Sequence, residues 1–237
     1  ALGTSENLLI VKLDITNLEE AKSAVKTAVD HFGTIDVLVN SAGNFYAGYF
    51  EELSPNQIEK QLETNLIGPM NVTRAVLPVM RKNRSGHIIS FSSTAGLVGT
   101  DFCSAYSTSK FALEGWMETL QLDVEPFGIT TTIVEPGFFR TELLEPASRI
   151  WPEWSIDDYR ERTEKTRKAW DSMSGKQGGD PAKLAQALLT ISSEDHPPLR
   201  WLAGKDAIEI AEQKIATLQK QVDAYRTLST SLAYEDE

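Results

Sequence analysis

The sequence has a single cysteine, Cys103, so no disulfide can form within the chain. Cysteine-based zinc sites are excluded with it, and the three histidines, His31, His87 and His196, are scattered. No metal site is expected. Basic residues are outnumbered: the formal net charge is -11. Phosphate backbones and anionic bilayers both call for a positive face, so neither nucleic acid nor a membrane surface is an expected partner. No apolar run is long enough to span a bilayer. No basic segment followed by an apolar one opens the chain, which makes the cytoplasm the expected compartment. No internal repeat or low-complexity linker divides the 237 residues, so one domain is expected.

What is present alternates. Leu8 to Leu13 reads as an apolar strand ending at Asp14. Thr16 is an N-cap candidate, with Glu19 completing a capping box and apolar residues following at helical spacing to Phe32. Ile35 to Val39 is a second strand, closed by Asn40-Ser41-Ala42-Gly43. Ser54-Pro55 opens a helix expected to run to about Met80, with Pro69 and Pro78 as candidate kinks. A third strand covers His87 to Ser92, a long helix Ser104 to Glu125, and a fourth strand Ile129 to Val134. Short continuous apolar strands alternating with helices imply a parallel sheet covered on both faces. Residues from about 138 to 179 break the rhythm and carry Trp151, Trp154 and Trp170, and those from about 145 to 179 are expected to form a substrate lid. A helix from Asp180-Pro181, a short strand at Leu199 to Ala203 and a polar amphipathic helix from Asp206 complete the chain.

The chemistry starts at Tyr106-Ser107-Thr108-Ser109-Lys110. Tyr and Lys at i and i+4 share one helix face. An ammonium about 4 Å from a phenol, at an effective dielectric of about 20, is worth roughly 4 kcal/mol. That is about three pKa units, enough to bring a phenol near neutrality. Alone, the spacing is common in helices. Ser92-Ser93, however, ends the third strand, where parallel sheets present ligand-binding groups. A hydroxyl there can polarise a substrate oxygen while Tyr106 moves a proton. Asn65 lies inside a helix, where Asn is disfavoured and needs a reason. It can hold a relay water beside Lys110, or make a tertiary hydrogen bond.

Together these residues resemble the short-chain dehydrogenase/reductase family, in its main single-domain form. Ser93 and Tyr106 stand thirteen apart, as in the family's Asn-Ser-Tyr-Lys tetrad. Asn65-Leu66-Ile67-Gly68 resembles the family's Asn-x-x-Gly helix motif, and Asn40-Ser41-Ala42-Gly43 its Asn-Asn-Ala-Gly turn. The resemblance implies a Rossmann-type doubly wound α/β fold, strand order 3-2-1-4-5-6-7, and homodimers or homotetramers built on the long helices. It implies an NAD(P)-dependent hydride transfer with NADP or NAD as cofactor and Tyr106 as the proton-transferring residue. Lys110 then lowers the Tyr106 pKa and binds the nicotinamide ribose, Ser93 polarises the substrate oxygen and Asn65 holds a relay water. Asp14 would contact the adenine ring. Asn40, Ala42, Gly43, Pro136, Gly137 and Thr141 would line the rest of the cofactor site.

One family feature is missing: no glycine-rich turn of the form Thr-Gly-x-x-x-Gly-x-Gly occurs in the sequence. The residue that selects NAD or NADP belongs to the same missing stretch. By the family's strand order, two further strands would separate Leu8–Leu13 from Ile35–Val39, placing them roughly 14 Å apart. An upstream strand–glycine turn–helix–strand unit is therefore expected. Phe45, Tyr46, Tyr49, Phe50, Phe102, Cys103, Phe138 and Phe139 fall in loops at one sheet edge. They suit a hydrophobic alcohol, ketone or aldehyde as substrate. A non-catalytic, dinucleotide-sensing relative is the competing reading, against which both Tyr106 and Lys110 stand intact.

Overall fold

The computed structural model describes residues 5–145 and 148–234. Four parallel strands form the central sheet: β1 (Val37–Asn40), β3 (Gly86–Phe91), β4 (Ile129–Pro136) and β6 (Arg200–Ala203), in the order β1-β3-β4-β6. A second sheet pairs the two-residue strands β2 (Phe45–Tyr46) and β5 (Arg149–Ile150). The helices are α1 (Leu18–Phe32), α2 (Pro55–Leu62), α3 (Gly68–Asn83), α4 (Ser104–Val124), α5 (Arg160–Met173), α6 (Pro181–Ser192) and α7 (Lys205–Thr230). Parallel strands joined through helices give the α/β, Rossmann-type architecture expected from the alternation.

Two apolar layers hold this sheet. Val76 and Met80 of α3, with Leu113 and Met117 of α4, pack on Ile88, Ile129 and Ile133. On the other face Ile89 and Val134 meet Leu184 and Leu188 of α6. Burying each such aliphatic side chain contributes about 1.5–3 kcal/mol.

The amino-terminal reading needs correction. Residues 9–14 form no strand; Leu8 makes only an isolated bridge to Ser5. An extended segment needs a neighbour to take its backbone groups, and β1 pairs with β3 alone. Leu13 and Ile15 pack instead beside the α1–α3 layer. The free edge of β1 leaves Val37 and Val39 exposed. The two segments are therefore not paired side by side. The N-cap of α1 is Asn17, not Thr16, because its side chain accepts from the N–H groups of Glu19 and Glu20.

The helix expected from Ser54 to Met80 does run through, to Asn83, but not as one α-helix. Ser54 closes a capping box with Gln57, and a π-helical turn at Glu63–Ile67 separates α2 from α3. Pro69 has no N–H to offer the Asn65 carbonyl four residues back, and widening the turn relieves that break. Among the described residues of the expected lid, 145 and 148 to 179, α5 occupies fourteen, more regular structure than the pattern suggests.

Candidate active site

The carboxyl ends of β1, β3 and β4 open into one cavity of about 680 Å³. Each strand contributes the turn that follows it. Ser41 to Phe45 come from β1, Ser92 to Ala95 from β3, and Pro136 to Phe139 from β4. Tyr106 and Lys110 enter from the first turns of α4. Ala42, Gly43, Asn65, Ser93, Pro136, Gly137 and Thr141 all reach the wall.

Ser93 is extended (φ -171, ψ 162), and its Oγ accepts from the Ala95 N–H at 3.1 Å. That bond uses an oxygen lone pair and leaves the hydroxyl proton to donate, here toward the Tyr106 hydroxyl on the cavity wall. Burial pushes the Tyr106 phenol up to about 12, with a Ser93 hydrogen bond pulling the other way. Lys110 Nζ donates to the Phe91 carbonyl at 2.8 Å and stands 5.6 Å from the centre of the Tyr106 ring. Burial brings the ammonium down to about 8, opposed by the nearby Glu114 charge. Burial therefore outweighs the expected depression of the phenol by Lys110 in this geometry. The ammonium is engaged at the strand end and over the ring, so desolvation dominates at the hydroxyl.

Asn65 sits in the π-helical turn, and its side chain is committed to protein partners. Oδ1 accepts from the Asn44 N–H at 2.9 Å, while Nδ2 donates to the Asn44 carbonyl and to Ser109 Oγ. This is the tertiary hydrogen bonding that the sequence left as an alternative to a relay water. It fixes the turn after β1 against the helix that carries Tyr106. Asn40 lies behind the wall, donating to Thr73 Oγ1 and Ser90 Oγ, and so pins β1 to β3 and α3. Asp14 lies outside the cavity wall. It is exposed, and the Thr16 hydroxyl and N–H hold its carboxyl below the usual range.

The turn after β4 is held by α7. Asp206 accepts from the Phe138 N–H at 2.7 Å, and its carboxylate lies against Gly137. A Cβ at position 137 would come within 2.2 Å of that carboxylate, which explains the glycine.

The aromatic rim divides. Phe45, Cys103, Phe138 and Phe139 line the cavity, joined by Trp170 and Met173 of α5. Phe45 stacks on Trp170 at 5.1 Å and meets Tyr106 edge-on at 4.8 Å. Phe102 and Tyr49 form a layer behind it with Trp151. Tyr46 packs away from the cavity against Leu53, and Phe50 is exposed.

Sequence reasoning missed the groups beneath the site. Glu114 accepts from the Ser92 hydroxyl and from Arg200 Nη1, and the same guanidinium reaches Glu135. Glu114 stands four residues beyond Lys110 on α4, and that spacing was the available signal.

The model of the short chain dehydrogenase family matches residues 1–149, which takes in every strand end that builds this cavity. The chain belongs to the short-chain dehydrogenase family. The chain is 35% identical over 203 residues to a 3-ketodihydrosphingosine reductase of Bacteroides thetaiotaomicron, covering 84% of this chain and 75% of that protein. Its fold superimposes on a short-chain dehydrogenase from Streptomyces avermitilis with a TM-score of 0.84 and 34% identity, over 94% of this chain and 80% of the other. A structure of ElxO with NADP bound matches at a TM-score of 0.65 and 26% identity, over 81% of this chain and 73% of that one. Among the described residues, no helix of the chain is long and apolar enough to cross a membrane.

Proposed function

We propose that this chain is an NAD(P)-dependent oxidoreductase that moves a hydride between nicotinamide and a carbonyl or alcohol of a hydrophobic substrate. The observation that carries the reading is one cavity in which Ser93, Tyr106 and Lys110 converge beneath an aromatic wall. The residues present fit the nicotinamide end of a dinucleotide. Lys110 is buried, and among the described residues one of its three N–H donors is used, by Phe91. Two hydrogen-bond donors remain for ribose hydroxyls. Ala42, Gly43, Pro136, Gly137 and Thr141 offer the surrounding wall. Asn40 supports that wall from behind, and Asp14 is assigned to the adenine end. NADP and NAD both remain compatible; NADP is the form bound in the ElxO structure.

When bound, the dinucleotide supplies or accepts the hydride. The chain's own residues handle the oxygen and its proton. Ser93 Oγ donates to the substrate oxygen and polarises it. The Tyr106 hydroxyl gives its proton to that oxygen in reduction and takes it back in oxidation. At about 12 the Tyr106 phenol stays protonated at neutral pH, which suits the acid role in reduction. Lys110, charged below about 8, holds positive charge beside the Tyr106 ring and stabilises phenolate as it forms. Phe45 and Trp170 exclude water and receive an apolar substrate body. Residues 145 to 179, to which Trp170 belongs, act as the lid over that body. The reductase relative is named for a 3-keto lipid base, which fits a ketone presented on a long apolar body.

The test is a screen of long-chain and cyclic ketones against NADPH and NADH separately, following nicotinamide absorbance. Turnover of at least one hydrophobic ketone is expected. Cofactor binding without turnover of any carbonyl or alcohol would favour the dinucleotide-sensing reading instead.

A further inference from the structure

α7 packs on the domain only at its start. Ala207 and Ala211 are its buried residues, and every residue from Ile215 to Thr230 is exposed. Sixteen residues at 1.5 Å each make a free helix about 24 Å long. A lone helix of that length is marginal in water. This one is not polar all round. Ile208, Ile215 and Val222 recur at seven-residue intervals, as do Ala211, Leu218 and Tyr225, the second series offset by three. That is the a and d pattern of a coiled-coil seam. Ile215, Val222 and Tyr225 are each half or more exposed (66%, 50% and 63%).

We propose that this stripe is the contact for α7 of a second copy of the chain, lying antiparallel across a two-fold axis near position 220. The proposal does not depend on the reaction assigned above. An antiparallel pair sets a positions against d positions. In one register Ile215 faces Tyr225 of the other copy and Leu218 faces Val222.

The flanking charges choose this register. Along the e flank, Glu212 falls opposite Arg226 and Gln219 opposite its own copy, so both ends of the seam gain an opposite-charge pair. Sliding by a heptad either way sets Glu212 or Arg226 against Gln219. A parallel in-register pair sets Lys214 against Gln219 and Gln221 against Arg226, with no charge pair. Bulky groups meeting bulky groups and opposite charges aligned coincide in the two-fold antiparallel register.

Sedimentation equilibrium of the full chain tests the association, and disulfide capture tests the register. Leu218→Asp, at an exposed position, should halve the assembly's mass, with no loss of circular dichroism beyond fraying of the freed end of α7. Glu212→Arg alone and Arg226→Glu alone should each weaken association about tenfold. Combining them should restore it, because the reversed charges face each other again. Gln219→Cys should cross-link to its own copy under mild oxidation, and Tyr225→Cys should not, since its counterpart is Ile215. A monomeric wild type, an unchanged mass for Leu218→Asp, or cross-linking at 225 in place of 219 would each overturn the proposal.

Discussion

Arg200 Nη1 donates to Glu114 Oε2 at 2.7 Å, and through the same nitrogen to Glu135, so one guanidinium of β6 joins α4 to β4. Glu114 also accepts from Ser92, the neighbour of Ser93. Glu135 directly precedes the Pro136-Gly137 turn, and Glu114 follows Lys110 by one helical turn. The three segments that build the cavity are thus tied together from below by one charged group and two carboxylates.

Removing that cation should be costly. Glu114 and Glu135 are 3% and 1% exposed, and either carboxylate left without its partner is an uncompensated buried charge. Arg200→Met is expected to lower stability by about 3 kcal/mol, the smaller end of the usual range because the guanidinium is itself a third exposed. Urea unfolding at pH 7 measures it. A change under about 1 kcal/mol would mean that the network does not hold the strand ends.

The same network should leave a pH signature. Burial first, then the Glu114 charge, push the Glu135 carboxyl up to about 6 from an ordinary 4.5. The folded state therefore binds this proton more tightly than the unfolded chain does. Its contribution is fully present below about 4.5 and is lost as pH rises through about 6. Glu135→Gln mimics the protonated form. Its stability relative to the wild type should rise between pH 4.5 and 6 and level off above, in unfolding curves taken at matched salt. A difference flat across that window would count against the assignment.

At the reacting centre, Tyr106→Phe is expected to lower turnover at least 100-fold, the usual scale for a general acid–base group, with stability nearly unchanged. Lys110 sets the alkaline limit. Burial lowers its pKa from 10.5 to about 8, so its charge is lost as pH rises through about 8. Reduction should fall off there. Lys110→Met should remove that limb from the pH–rate profile and weaken cofactor binding. An unchanged profile with unchanged affinity would exclude Lys110 from both roles.

The parts of this fold that were legible are those whose signal is local. The Ser54 box, the strand runs at β3 and β4, and the thirteen-residue gap from Ser93 to Tyr106 each lie within one or two adjoining elements. What was not legible depends on long-range partners. Leu8 to Leu13 reads as a strand by composition, but a strand exists only when another takes its hydrogen bonds. Asn65 looked like a helix-interior misfit, and only the fold supplies Asn44 and Ser109 as its partners. The two-residue pairing of β2 with β5 spans about a hundred residues and has no sequence period to announce it. Arg200 meets Glu114 across 86 positions in the same way.

The aromatic wall carries the proposal about substrate, and Trp170 is its most exposed claim. It reaches the cavity from α5, stacks on Phe45 with an interplanar angle of 25°, and shares an edge contact with Phe102. If this face receives an apolar substrate body, truncating it removes contact made equally in the bound and transition states. Such a loss raises KM and spares kcat. Trp170→Ala is expected to raise KM for a long-chain or cyclic ketone about tenfold, equivalent to about 1.4 kcal/mol. The kcat should stay within about threefold, and the smallest ketones should be turned over as before. Trp170→Phe keeps an aromatic face and should recover most of the loss. If KM is unchanged for large and small ketones alike, the wall packs the lid and does not select the substrate.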